Sequence, residues 1–147
     1  MQKKISYIED FESWKNEFTF YTEIKIRFSE TDMIGHVNNV SPFIYFEQAR
    51  IEFMMEKGIF TEKSIQTTIP IVADLQCDYL EQLYFGNVLK IYVKANSVGN
   101  SSLDIHYLGL NEEGKPCLTG RGRLVNIDVK SGTPAKFTEE ERQRILS

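Results

Sequence analysis

The segment from Ser41 to Gly58 limits the fold more than any other part of the chain. Ser41 suits an N-cap, and Pro42 suits the first helical position, where proline's missing N–H costs nothing. Gly58 suits the stop just past the last turn. Between them Phe43, Phe46, Ile51, Phe53, Met54 and Met55 cover more than one narrow stripe. A helix apolar on most sides is buried on most sides. That favours a helix wrapped by a sheet over one lying on a surface.

The flanking sequence supplies the sheet. Phe20, Thr22, Ile24, Ile26 and Phe28 alternate with Tyr21, Glu23, Lys25 and Arg27, the two-residue period of a half-buried strand. The period returns after Thr67. Ile71, Ala73, Leu75, Cys77 and Tyr79 alternate with Val72, Asp74, Gln76 and Asp78, and Leu89, Ile91, Val93 and Ala95 alternate with Lys90, Tyr92 and Lys94. Gly99-Asn100 suits a hairpin turn, after which Leu103, Ile105 and Tyr107 oppose Ser102, Asp104 and His106; Asn111 to Gly114 is a second turn. In the last strand Leu118, Gly120, Gly122 and Leu124 share one face, and glycines inside a strand mark close approach of another backbone. The buried helix is the expected neighbour.

Thr138-Glu139-Glu140-Glu141 opens a short terminal helix by a capping box, within 137–147. Residues 1–19 form a lead-in whose stretch from Ile5 to Phe18 reads as a helix or an interface arm. No repeat or linker divides the chain, so 1–147 is read as a single domain, within the usual size of roughly 100–200 residues. The layout is α+β: one helix packed against a curved antiparallel sheet.

Composition narrows the function. Ten Phe and seven Tyr supply a real core, which argues against disorder. A formal charge of -4 without any Lys/Arg cluster argues against bulk electrostatic binding of nucleic acid, while leaving room for a local basic groove that takes a nucleotide-bearing substrate. No apolar run reaches spanning length, and Met1 to Asp10 is too polar for a secretory signal. Cys77 and Cys117 are isolated and read as small core residues in a reducing compartment. A soluble cytoplasmic protein is expected. No GxSxG, Walker A, GxGxxG or HExxH motif occurs. With His36 and His106 the only histidines and no cysteine pair, a zinc site has too few ligands, and no cofactor is expected.

What remains is the polar loop from Glu30 to Asn39, set between a strand and a helix N-terminus. The first N–H groups of a helix lack intrahelical partners and favour negative charge, so a thioester carbonyl placed against them meets an oxyanion hole. Asp32 stands just before this point, suited to act as nucleophile or as a base activating water.

The run Arg27-Phe28-Ser29-Glu30-Thr31-Asp32-Met33-Ile34-Gly35-His36-Val37-Asn38-Asn39, continued by Tyr45-Phe46-Glu47-Gln48-Ala49-Arg50, resembles the signature of hotdog-fold acyl-CoA thioesterases. The branch is the one named after 4-hydroxybenzoyl-CoA thioesterase, in its GHVNN form. The resemblance extends more loosely through Ile71 to Leu80 and on to about Asp128. It implies a long helix wrapped by about five antiparallel strands, and homodimers, often paired into homotetramers, with active sites at the subunit interface. It puts the catalytic carboxylate on Asp32, the tight-turn glycine on Gly35, and the oxyanion-binding amides near Asn39 and Val40. Some relatives carry Tyr where this chain has Phe28 and His where it has Asn39, so a mechanism needing those groups does not transfer.

The remaining loop residues have two readings each. His36 orients water or substrate, or bonds nearby backbone; Asn38 and Asn39 bind ligand or their own loop. Glu47 lines the pocket with a raised pKa or pairs with Arg50. Arg121, Arg123, Lys90 and Lys94 meet coenzyme A phosphates or are solvated. Phe28, Phe43, Phe46 and Tyr79 shape an apolar pocket or are plain core. The implied activity is hydrolysis of an acyl-CoA or acyl-carrier-protein thioester. The alternatives are a hotdog hydratase or dehydratase using His36 and Glu47, and a non-catalytic acyl-thioester-binding protein.

Overall fold

Alternation of side chains carries the sheet in the computed structural model, which describes residues 4–147. Strand β1 (Phe20–Lys25) is followed by helix α2 (Ser41–Glu56), then β2 (Thr68–Tyr79), β3 (Val88–Val98), β4 (Ser102–Leu110) and β5 (Pro116–Asp128). A short helix α1 (Phe11–Asn16) precedes them and α3 (Glu139–Leu146) closes the chain. The strands form one antiparallel sheet in the order β1-β3-β4-β5-β2. Its concave face holds the core: Leu89, Ile91 and Val93 of β3, Leu103, Ile105 and Tyr107 of β4, and Leu118 and Leu124 of β5, packed against Tyr45, Phe46, Ala49, Phe53 and Met54 of α2.

Helix α2 buries one broad face and not most of its sides, since Ile44 and Met55 are half exposed; five strands curve round only part of it. Its cap also differs from expectation. The capping acceptor is Asn38, whose Oδ1 takes the N–H groups of Val40 at 3.0 Å and Ser41 at 2.8 Å. An amide oxygen two residues ahead of the N-cap Val40 reaches both donors, and Ser41 is already helical. The far end stops as expected. Gly58 takes φ +75°, with its N–H bonded to Met55 O and that of Ile59 to Met54 O, the paired bonds of a Schellman motif.

Two strands depart from the simple alternation. β1 ends at Lys25, and Phe28 does not share its inner face: the Glu30 carboxylate captures the Arg27 N–H at 2.9 Å, and residues 28–30 form a tight 3-10 turn that leaves Phe28 72% exposed. In β2 the register slips between Val72, opposite Leu124, and Asp74, opposite Arg123, so Ala73 is a bulge. The inner face therefore runs through Val72, Leu75, Cys77 and Tyr79, and Ile71 turns outward. Of the two β5 glycines, Gly120 admits the helix: a Cβ there would lie 2.5 Å from the Phe46 ring. Gly122 is crowded by β2 instead, 2.7 Å from Asp74 O.

The N-terminal lead-in packs on its own sheet. Trp14 and Phe18 join Leu108 and Leu110 in a second cluster on the convex face, with Tyr7, Ile8, Phe11 and Tyr92 around it. Trp14 Nε1–H donates to His106 Nδ1 at 2.9 Å. The capping box of α3 is formed as the sequence indicates, Thr138 and Glu141 exchanging bonds of 2.8 and 3.1 Å. Among the described residues no helix is long and apolar enough to cross a membrane.

Candidate functional site

The loop between β1 and α2 is stitched from within. Asp32 N–H donates to His36 O at 2.7 Å and Gly35 N–H to Asp32 O at 3.1 Å, a turn that Gly35 closes at φ +82°, where glycine alone is unstrained. Asp32 Oδ1 accepts the N–H groups of Ile34 at 2.9 Å and His36 at 3.2 Å. The carboxylate is exposed, with one oxygen held by the loop and Oδ2 unoccupied among the described residues. A second segment backs the loop: Val37 N–H bonds Leu83 O at 2.8 Å, and Phe85 N–H bonds Gly35 O at 3.2 Å.

His36 lies edge-on to Tyr84, ring centroids 5.0 Å apart. Asn38 acts on backbone, as the cap of α2, so the Val40 amide is engaged and is not the open donor of the site. The amide of Asn39 has no acceptor among the described residues. Its carbonyl accepts a hydrogen bond from the Tyr79 hydroxyl, which ties the helix entrance to the end of β2. Beside it opens a cavity of about 360 Å³ lined by Val37, Asn39, Pro42, Tyr79 and Leu118 and by residues 80–83, which include the polar Glu81 and Gln82.

The other candidates lie apart from that cavity. Glu47 points outward, 66% exposed, with its carboxylate 3.9 Å from the Arg50 guanidinium. Phe46 is plain core, stacked on Tyr107 at 4.5 Å, while Phe28 leans edge-on against Phe85 on the surface. Of the basic residues, Arg121 is paired with Asp104 at 2.8 Å, Lys94 with Glu17 at 2.8 Å, and Lys90 sits over the Tyr21 ring. Arg123 is exposed.

Sequence reasoning missed Glu30 and Tyr45. Glu30 is 6% exposed, and its Oε1 accepts the Tyr45 hydroxyl at 2.9 Å while Oε2 meets Arg27 Nη2 at 2.7 Å. Burial alone raises a carboxyl pKa, but the bonds from the Arg27 backbone and side chain and from Tyr45 outweigh it, so Glu30 ends below its ordinary value. Tyr45 is pushed up, by burial and then by the Glu30 charge beside it. The spacing of Arg27 and Glu30 was the available signal; nothing local announces a partner fifteen residues away.

Comparison with known proteins places this arrangement. Residues 26–145 match the model of the thioesterase-like superfamily. An uncharacterized Bacillus subtilis protein, YsmA, is 46% identical over 142 residues, covering 96% of this chain and 95% of its own. The crystal structure of a thioesterase from Thermus thermophilus, complexed with coenzyme A and zinc, is 30% identical with a TM-score of 0.74, covering 87% of this chain and 92% of that one. A DHNA-CoA thioesterase from Staphylococcus aureus is 25% identical with a TM-score of 0.72, covering 79% and 78%. The family match spans the stitched loop, the wrapped helix and four of the five strands: this chain belongs to the thioesterase-like superfamily and has the hotdog fold.

Proposed function

We propose that this protein hydrolyses acyl-coenzyme A thioesters, with Asp32 as the reacting carboxylate and the Asn39 amide as oxyanion donor. The observation that carries the reading is local: one exposed carboxylate with a single oxygen pinned by loop amides, on the loop that ends in an unengaged amide at the entrance of α2. A carboxylate fixed by one oxygen keeps the other available, and a helix entrance favours the negative charge that forms on the thioester oxygen. Family membership and the coenzyme A held by the Thermus thermophilus relative support the substrate class.

Two routes satisfy the chemistry. In one, Asp32 Oδ2 attacks the carbonyl carbon, the C–S bond breaks, coenzyme A leaves as a thiolate that takes a proton from water, and water then cleaves the mixed anhydride. In the other, Asp32 takes a proton from a water molecule whose oxygen attacks the same carbon, and that proton goes to the departing sulfur. The acyl group is assigned to the cavity beside Asn39. The reading includes a cytoplasmic homodimer joined along the free edge of β2, where Ile71, Val72 and Tyr79 are each 42–48% exposed and a long unpaired edge invites a second strand.

Thiol release from saturated acyl-CoAs of increasing chain length, and from the matching acyl-carrier-protein thioesters, tests this. The wild type releases thiol, and Asp32→Asn loses at least about 100-fold in kcat, the usual worth of a positioned base or nucleophile. Labelled water separates the routes: oxygen from water enters Asp32 under the anhydride route alone. Activity retained in Asp32→Asn would discard the assignment.

A further inference from the structure

We propose that Glu30 is the positioning residue of this site: clamped between Arg27 and Tyr45, it holds Asp32 and the Asn39 amide at a fixed separation. The inference rests on the functional reading above. Its starting point is a carboxylate taken almost wholly out of water, which is costly unless every lone pair is used. Here each oxygen is occupied. Oε1 accepts the Arg27 N–H at 2.9 Å and the Tyr45 hydroxyl at 2.9 Å; Oε2 accepts Arg27 Nε–H at 2.8 Å, with Nη2 of the same guanidinium 2.7 Å away in an ion pair.

The backbone of the same residue does the rest. Glu30 O accepts the Asn38 N–H at 2.9 Å and the Ser41 hydroxyl at 3.5 Å. One residue therefore grips the start of the loop through Arg27, its exit through Asn38, and α2 through Ser41 and Tyr45. Asp32 is two residues beyond Glu30, and Asn39 directly follows Asn38. The bonds made by Asp32 itself end at His36, so they set the orientation of the carboxylate within the loop and not its distance from the helix entrance. The segment around Leu83 and Phe85 backs Gly35 and Val37 in the middle of the loop, while the tie from the residues next to Asp32 to Asn38 and α2 runs through Glu30. Tyr45 supplies the rigid side of the clamp, being 2% exposed and part of the main core.

The test uses Glu30→Gln, which sets an amide N–H₂ against the Arg27 donors, and Tyr45→Phe, which removes one hydroxyl and keeps the buried ring. Both are assayed well below their own melting temperatures, with kcat normalised to folded protein. Trp14→Phe serves as a control that loses a buried hydrogen bond on the far face of the sheet. We expect kcat to fall about tenfold for Tyr45→Phe and about 100-fold for Glu30→Gln, with KM within about twofold, since an error of about 1 Å in placing reacting groups costs on this scale. The control loses stability and keeps its kcat. A kcat within about twofold of wild type in both folded variants, or an equal loss in the Trp14 control, overturns the inference while leaving Asp32 in place. No thiol release by the wild type, or full activity of Asp32→Asn, overturns the site reading and this inference with it.

Discussion

A methyl group added at Gly120 would stand 2.5 Å from the Phe46 ring and 2.8 Å from the Gln76 carbonyl, and neither can retreat, since the ring is stacked on Tyr107 and the carbonyl belongs to the sheet. Gly120→Ala should therefore cost about 2 kcal/mol through overpacking, lowering the melting temperature by about 5 °C in a thermal unfolding scan. At His106 the effect is one of protons. Burial holds the imidazole at about 4, against the opposing pull of Asp104 and with Lys94 and Arg121 nearby adding to the drop. Tyr7 faces the same ring, 5.0 Å away between centroids. The native state thus keeps His106 neutral where the unfolded chain protonates it. Its contribution is fully present above about 6.5 and is lost as pH falls towards about 4, up to roughly 3 kcal/mol by linkage. Denaturant titrations across that window should show the loss. His106→Gln, which retains an acceptor for Trp14 and cannot titrate, should flatten it.

Among the elements, α2 depends on a residue outside itself. Asn38→Ala leaves the N–H groups of Val40 and Ser41 without their acceptor and should cost about 1 kcal/mol, seen as a lower unfolding midpoint; Asn38→Asp keeps an oxygen in place and should restore it. This cap also shows where sequence patterns reach and stop. The central strands were legible because Leu89, Ile91, Val93, Leu103, Ile105 and Tyr107 are buried on one face, so period and burial agree. The site was legible as a loop because glycine, asparagine and aspartate crowd between two periodic segments. Invisible were events that depend on the partner strand or on a distant side chain. The bulge at Ala73 shifts the register of β2 on β5, and the choice of Asn38 over Ser41 is decided by reach. Glu30 finds Tyr45 through the fold alone.

At the level of the whole molecule, the sheet has one covered face, one helix-bearing face and a long open edge at β2. Assembly is therefore expected along that edge. Ile71→Lys, which places a charge on the outward side of that edge where Ile71 is 48% exposed, should leave a monomer in light scattering on a sizing column where the proposed wild-type dimer elutes at twice the mass. It should also reduce thiol release if, as the family resemblance implies, the active sites lie at the subunit interface. The covered face has a different use. Trp14 is the single tryptophan of the chain, and it is buried against Phe18 and Leu108 with its indole N–H bonded to His106. The molecule thus carries its own optical gauge in the second cluster, on the face of the sheet opposite α2. A red shift in indole emission that precedes the loss of sheet circular dichroism would time the detachment of α1 from the sheet, without any label.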